Sequence, residues 1–405
     1  MITSKLLASL KHVYFYLSVF LSLHTFCSAA TTAYVVNRDS GNVSVIDTAT
    51  NSVIVTVMVG SSPRQLVITP DGSSVYIVNQ GSDNVSVIDT ATNSIIATVT
   101  VGDQPRQLVI TPDGAYVYVT NLVPDNVSVI DTATNTVIAT VPVGTDPIFL
   151  AITPDGTHAY VSNFASGSVS VIDTATNSVI ATVPVGTTPT TLGIIPNGAN
   201  VYVTNQGSDN VSVIDTAANT VIATVAMGDD PTFPTSTPDG AYVYISNTFS
   251  DSVSVINTAT NTVIATVAVG NLPRNPTITP DGARVYVSNQ GTNDVSVIDT
   301  ATNTVIATVT VGTASNFSAI TTGGANIYVA NRDSNDVSVI DTATNTVIAT
   351  VAVGTAPIFL AFPSPPPSLN GHSVCKERAR FWDPIYLLQT LLESISRSDQ
   401  LRDFP

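Results

Sequence analysis

Apolar residues in this chain come in short runs closed by the same polar punctuation. In one stretch, residues 64–69 form an apolar run that ends in Pro70, Asp71 and Gly72. Pro fixes φ, Asp bonds nearby backbone and Gly accepts φ > 0, so this is a turn. Residues 74–79, rich in Val, Ile and Tyr, give a second run, followed by a polar loop at 80–84. Residues 85–89 are a third run, 90–93 a turn, and 94–101 a fourth run before Gly102. The pattern predicts four strands joined by connections short enough for antiparallel hairpins, with no stretch long enough for a helix.

The pattern then repeats. Val-Ser-Val-Ile-Asp-Thr-Ala-Thr-Asn first stands at residues 43–51, and its leading valine returns at Val85, Val127, Val169, Val211, Val253, Val295 and Val337, a spacing of 42 residues each time. Only Ala218 and Asn257 depart from the phrase. A fixed period of this length marks a repeat architecture. The third run is almost continuously apolar, which predicts a sheet covered on both faces. Stacking four-stranded sheets radially against one another provides that cover and makes a β-propeller. A linear β-solenoid is the competing arrangement, but its coils are usually shorter.

Proline and counting orient the blade. Pro142 and Pro184 fall in the fourth run, and a residue without an N–H is tolerated mainly on an edge, so this run is expected outermost. The run after each Gly-x-x-Pro segment is then innermost. The chain reaches Ala33 with a second-strand sequence and ends its array with a spare innermost copy at 357–362. Pairing the two gives eight complete blades, against an alternative of seven with one copy unpaired.

The second strands read Tyr118-Val119-Thr120-Asn121 and Tyr202-Val203-Thr204-Asn205, with variants beginning at Tyr34, Tyr76, Tyr160, Tyr244, Tyr286 and Tyr328. With the Thr-Pro-Asp-Gly turn and the Val-Ser-Val-Ile-Asp run, the chain resembles the YVTN family of β-propeller repeat proteins, up to about Phe362. That resemblance implies a surface-layer or secreted protein, with a fold similar to lactonase-like and amine-dehydrogenase-like propellers.

Composition narrows the function. The net charge is −16, and between residues 31 and 364 the basic residues are Arg38, Arg64, Arg106, Arg274, Arg284 and Arg332, with neither Lys nor Glu. This argues against nucleic acid, which needs a basic footprint, and against acidic membrane surfaces. Residues 1–30 read as a signal peptide: Lys5 and Lys11, an apolar core at 13–23, and small residues Ser28, Ala29 and Ala30. The apolar core is well short of the ~20 residues a spanning helix needs. Cleavage near Ala29 or Ala30 predicts an extracytoplasmic protein, secreted, periplasmic or on the cell surface. It leaves Cys375 as the one cysteine, so no internal disulfide can form, and no transmembrane segment remains in the mature chain.

Residues 31–364 are read as the propeller and 365–405 as a Pro-rich linker and tail. The tail carries Cys375, Lys376, Glu377, Trp382 and Glu393, and one amphipathic helix is expected after Asp383-Pro384, with Leu387, Leu388, Leu391, Leu392 and Ile395 on its apolar side. Docking on the ring, binding a partner and remaining a loose appendage are all open for it. Asn42, Asn84, Asn126, Asn210 and Asn316 each begin an Asn-x-Ser glycosylation pattern, although four of them are copies of one loop.

Antiparallel strands put the uniform turns on one face and the variable loops on the other. Recurrent aspartates such as Asp89 and Asp131, and Asp71 and Asp113 in the other hairpin, sit in uniform turns. They read as backbone caps, because Asn257 and Asn197 replace two of them. Variation on the other face marks where a ligand is distinguished. There the innermost strands start with Arg64 and Gln65, Arg106 and Gln107, Phe149, Phe233, Arg274, Phe317 and Phe359. Cationic forks beside aromatic platforms suit anionic or carbohydrate-like groups. The competing reading packs the phenylalanines between blades and pairs the arginines with acids such as Asp103. His158 is the one histidine of the array, and no metal set, Ser-His-Asp spacing or phosphate loop can be assembled, so no cofactor is expected. The expectation is a binding, adhesion or surface-layer scaffold whose partner is a surface protein, a glycan or a small anionic ligand. The alternative is an extracytoplasmic enzyme of lactonase-like or redox-cofactor type acting at the channel mouth.

Overall fold

A computed structural model describes residues 32–363 of the chain. The expected leader and the tail at 365–405 lie outside the described residues. Within them the chain is all-β: eight four-stranded antiparallel sheets, each ordered from an innermost to an outermost strand. The innermost strands of successive blades touch in an unbroken ring, Pro357–Ala361 meeting both Ser315–Ile320 and Pro63–Ile68. The eight-bladed reading holds. Blade 1 is closed by its own ends, with Thr32–Asn37 pairing antiparallel to Pro357–Ala361. Blades 2 to 8 follow as residues 63–100, 103–142, 147–184, 189–226, 231–268, 273–310 and 315–352.

Burial follows the strand order. Second and third strands are buried almost throughout, as in Ser74–Asn79 and Asn84–Asp89, because neighbouring blades cover both their faces. Outer strands alternate exposed and half-buried positions, as in Thr136–Pro142. These outer strands carry no charged residue and each exposes the isoleucine at its third position, such as Ile138 at 50% and Ile222 at 52%. That isoleucine is the unpaired residue of a β-bulge: Ile130 faces Val137 and Val129 faces Ala139, so Ile138 is skipped. A bulge twists the strand and blunts its free edge, which here has no charge to do so.

The tyrosine that opens each second-strand motif is fully buried and reaches into the next blade. Tyr76 Oη donates to Asn135 Oδ1 at 2.6 Å, Tyr160 to Asn219 at 2.7 Å, and Tyr328 of blade 8 to Asn51 of blade 1 at 2.5 Å, sealing the ring. The acceptor is the last residue of Val-Ser-Val-Ile-Asp-Thr-Ala-Thr-Asn. It lies in the left-handed region, φ 54° at Asn135 and 53° at Asn219, which Asn adopts more readily than most residues. The phrase therefore carries an inter-blade latch as well as a strand. Its aspartate caps the turn, Asp131 accepting from Thr134 N and Thr134 Oγ1, both at 2.8 Å. Those bonds favour the ionised form and hold the Asp131 carboxyl below the usual range.

A second fixed contact shapes the variable face. The asparagine that closes each second-strand motif, such as Asn121, donates through Nδ2 to Asn126 Oδ1 at 2.7 Å and Ser128 Oγ at 2.9 Å. It lies under the glycine of the preceding turn, where a Cβ on Gly102 would stand 2.7 Å from Asn121 Cγ. Asn126, like Asn42, Asn84 and Asn210, is thus held as an acceptor within this loop. Four of the Asn-x-Ser patterns thus fall on one structurally repeated asparagine.

Candidate functional site

Each innermost strand starts at the variable face and runs down the channel. Alternation should turn successive side chains to opposite sides. A register shift at the start of every innermost strand breaks that rule. In blade 2, Pro63 faces Asn79 and Gln65 faces Val78, leaving Arg64 unpaired; in blade 4 the extra residue is Ile148, and in blade 8 Asn316. Bulges re-aim side chains, and here they bring two consecutive residues per blade to the channel.

The result is one cavity of about 600 Å³ at the channel mouth. Arg64, Gln65, Arg106, Gln107 and Arg274 line it together with Phe149, Phe233, Phe317 and Phe359, so the residues singled out in the sequence are brought together. Arg38 lines it as well and was not among them. It comes from the loop after the second strand of blade 1, at the position filled by Gln80 in blade 2 and Gln290 in blade 7. Aligning that loop position across blades is the signal that would have found it.

The arginines are not neutralised in place. Among the described residues the ion pairs are Arg38–Asp39 and Arg332–Asp333, each 2.7 Å between neighbours in sequence. The expected pairing with Asp103 does not form. Instead Arg64 Nε donates to Gln80 Oε1, and Arg274 Nε to Gln290 Oε1 at 2.9 Å. A neutral amide orients the guanidinium without cancelling its charge. Arg106 has Leu122, within the longer second strand Tyr116–Val123, at the corresponding position and no such brace. Burial, with Arg106 and Arg38 nearby as like charges, pushes Arg64 down to about 10. Burial also lowers Arg106 and Arg274, opposed by Asp146 and Asp230 respectively. All three remain cations at neutral pH.

The other lining residues divide. Gln107 is buried, its Oε1 accepting from Leu150 N of the next blade and its N–H bonding Thr120 Oγ1 at 3.1 Å, so it braces the wall. Phe317 and Phe359 meet across blades 8 and 1 at 4.2 Å between centroids. Phe233 is held at φ 52°, its N–H donating to Thr191 Oγ1 of the neighbouring blade at 2.7 Å. A bulky residue in that region stores strain, which clusters at binding sites. On the uniform face, His158 Nδ1 bonds Thr157 Oγ1 at 2.8 Å within its turn. No cluster of metal-ligating residues occurs among the described residues, and no helix there is long and apolar enough to cross a membrane.

Comparison with known proteins agrees with this architecture. The profile described as YNCE-like beta-propeller matches residues 16–114 and 73–362. No curated protein sequence matches significantly. Among solved structures, Kuenenia stuttgartiensis hydrazine synthase is similar at 26% identity and TM-score 0.57, covering 69% of this chain and 96% of that one. The dihydro-heme d1 dehydrogenase NirN, solved in complex with DHE, is 14% identical with TM-score 0.71, covering 84% of this chain and 76% of that one. Apo AztD from Citrobacter koseri is 13% identical with TM-score 0.65, covering 82% and 97%. The last two likenesses concern the fold alone. With the profile spanning nearly the whole array and eight closed blades in the structure, the chain belongs to the YNCE-like β-propeller family.

Proposed function

We propose that this propeller is an extracytoplasmic binding protein, secreted or held at the cell surface, that captures a small anionic ligand at the mouth of its channel. The observation that carries the reading is the convergence of Arg64, Arg106 and Arg274 on one cavity with no carboxylate within 4 Å of their nitrogens, in a chain of net charge −16. Half-buried guanidiniums with no carboxylate in direct contact, in a concave site, bind carboxylate, phosphate or sulfate in a fork geometry. The uniform face, whose aspartates are engaged as turn caps, serves the scaffold. The leader-like sequence at 1–30 supports export.

Calorimetric titration of the purified protein with inorganic phosphate, citrate, glucuronate and, as the neutral control, glucose tests the reading. Saturable binding of an anion that weakens with salt, and is lost in the Arg64→Ala/Arg106→Ala/Arg274→Ala variant with its β circular dichroism intact, is expected. Equal behaviour of parent and variant toward every anion refutes it. Turnover of any probe by the parent, lost in the variant, would replace binding with catalysis. Cell fractionation with mass measurement of the mature N-terminus tests export, and an intact Met1 on a cytosolic protein refutes it.

A further inference from the structure

The mouth is not symmetric around its ring. Three positions per blade can reach it: the two bulge residues and the loop residue after the second strand. Read in blade order, arginine occupies one of them in blades 7, 8, 1, 2 and 3, as Arg274, Arg332, Arg38, Arg64 and Arg106; all but Arg332 line the cavity, and Arg332 and Arg38 are each paired with the aspartate that follows. Blades 4, 5 and 6 contribute none. The cavity-lining cations therefore stand on blades 7, 1, 2 and 3, and the facing blades 4, 5 and 6 are uncharged at these positions.

The uncharged arc has its own structure. Phe149 of blade 4 and Phe233 of blade 6 flank blade 5, whose two bulge residues are the small Thr190 and Thr191. This leaves a recess between two phenylalanines, backed by hydroxyls already bonded to Thr204. Unlike Phe317 and Phe359, neither Phe149 nor Phe233 makes a ring–ring contact among the described residues, and Phe149 packs against the core shared by blades 4 and 5 while lining the cavity. Size points the same way. A cavity of about 600 Å³ lies in the range that holds drug-sized molecules, roughly 300–1,000 Å³, and a bare oxyanion would leave most of it to water.

We infer that the ligand is an amphiphilic anion, whose acidic head lies on the arginine arc and whose planar apolar body enters the recess between Phe149 and Phe233. This rests on the anion-binding reading above and narrows it to an aryl or similarly flat acid. Arg64 and Arg106, on adjacent blades, form the fork for the head, and the strained backbone of Phe233 fixes the far wall.

Three probes separate the parts: 1-naphthyl phosphate, inorganic phosphate and 1-naphthol, each titrated calorimetrically into the full chain. The naphthyl phosphate is expected to bind at least about tenfold more tightly than either fragment, since burying a ring adds to the head's contacts. Phe149→Ala/Phe233→Ala should bring its affinity down to that of inorganic phosphate and leave inorganic phosphate unchanged. Arg64→Ala/Arg106→Ala should weaken both anions and spare 1-naphthol. If the double alanine variant fails to fold, Phe149→Leu is read in the same three titrations. Equal binding of the two phosphates, or no response of naphthyl phosphate to the aromatic variants, overturns the amphiphile while leaving anion capture standing. Indifference of both anions to the arginine variant overturns anion capture itself, and the amphiphile with it.

Discussion

Tyr160→Phe isolates the inter-blade latch. The substitution keeps a fully buried ring and removes one hydroxyl, which donates to Asn219 Oδ1 at 2.7 Å across the junction of blades 4 and 5. The stranded acceptor lies on a partly exposed turn and can recover water, so the cost should fall near a net hydrogen bond, about 1 kcal/mol. Asn219→Gly removes the acceptor without straining the backbone, because φ there is 53° and glycine adopts it freely. It strands a hydroxyl on a buried tyrosine, so its cost should be higher, roughly 1–3 kcal/mol. The double variant strands neither group, and its destabilisation should be less than the sum of the two by about 1 kcal/mol. Equilibrium urea unfolding followed by circular dichroism measures the cycle. At this chain length each kcal/mol moves Tm by only ~1–2 °C, so denaturant is the better probe. A coupling of zero refutes the latch. The same cycle on Tyr328 and Asn51 asks whether the seam is held like the other junctions.

Three further outcomes are expected. Gly102→Ala should destabilise by roughly 1–3 kcal/mol in the same assay, since its Cβ would meet Asn121 Cγ at 2.7 Å; a neutral result would mean the asparagine moves aside at no cost. Burial pushes Tyr76, Tyr160, Tyr202, Tyr244 and Tyr328 up to about 12 from an ordinary 10.0. Folding favours their neutral form, so this stability is complete below pH 10 and lost as pH rises toward 12; tyrosinate absorbance should grow together with loss of β dichroism, and ionisation of these tyrosines in an intact fold would contradict it. Turn-cap bonds from Thr153 Oγ1, then from Thr157, hold Asp155 down at about 2 against an ordinary 3.8, and Asp113 and Asp281 are lowered likewise. That stability is present above pH 3.8 and lost as pH falls toward 2, so Tm should be flat from neutral pH to about 4 and drop below it, while a decline beginning well above pH 4 would point to other groups.

The architecture was open to reading because the features that build it are local and periodic. The turn at Pro70-Asp71-Gly72, the apolar run at Ser74–Asn79 and the proline at 142 each report on one strand, and the 42-residue period stacks the strands into blades. The spare innermost copy at 357–362 then closes the ring. Candidate lining residues could be picked out because they keep a fixed place in the repeat. What was hidden is register and reach. Nothing in the run Pro63-Arg64-Gln65 says that Arg64 is skipped in pairing, so strict alternation would have turned Arg64 and Gln65 to opposite sides. The brace from Arg64 to Gln80 joins the innermost strand to the turn after its paired neighbour, and the latch from Tyr34 to Asn93 crosses a blade boundary at 3.2 Å. Arg38 was passed over because it follows a second strand, outside the position at the start of the innermost strands from which the candidates were drawn. The left-handed backbone at Phe233 has no counterpart in hydrophobic pattern.

The pairing of Thr32–Asn37 with Pro357–Ala361 has one more consequence. In blades 2 to 8 the innermost and second strands are joined by a tight turn, such as Thr69-Pro70-Asp71-Gly72-Ser73, whereas in blade 1 the two strands lie in the same antiparallel register with no turn between them. The array is therefore a circle cut at one of eight equivalent hairpins. Supplying that turn to blade 1 and cutting any other would give a circular permutant with every strand pair, every tyrosine latch and the whole channel mouth retained. The place where the array opens is, for the ring, an arbitrary origin.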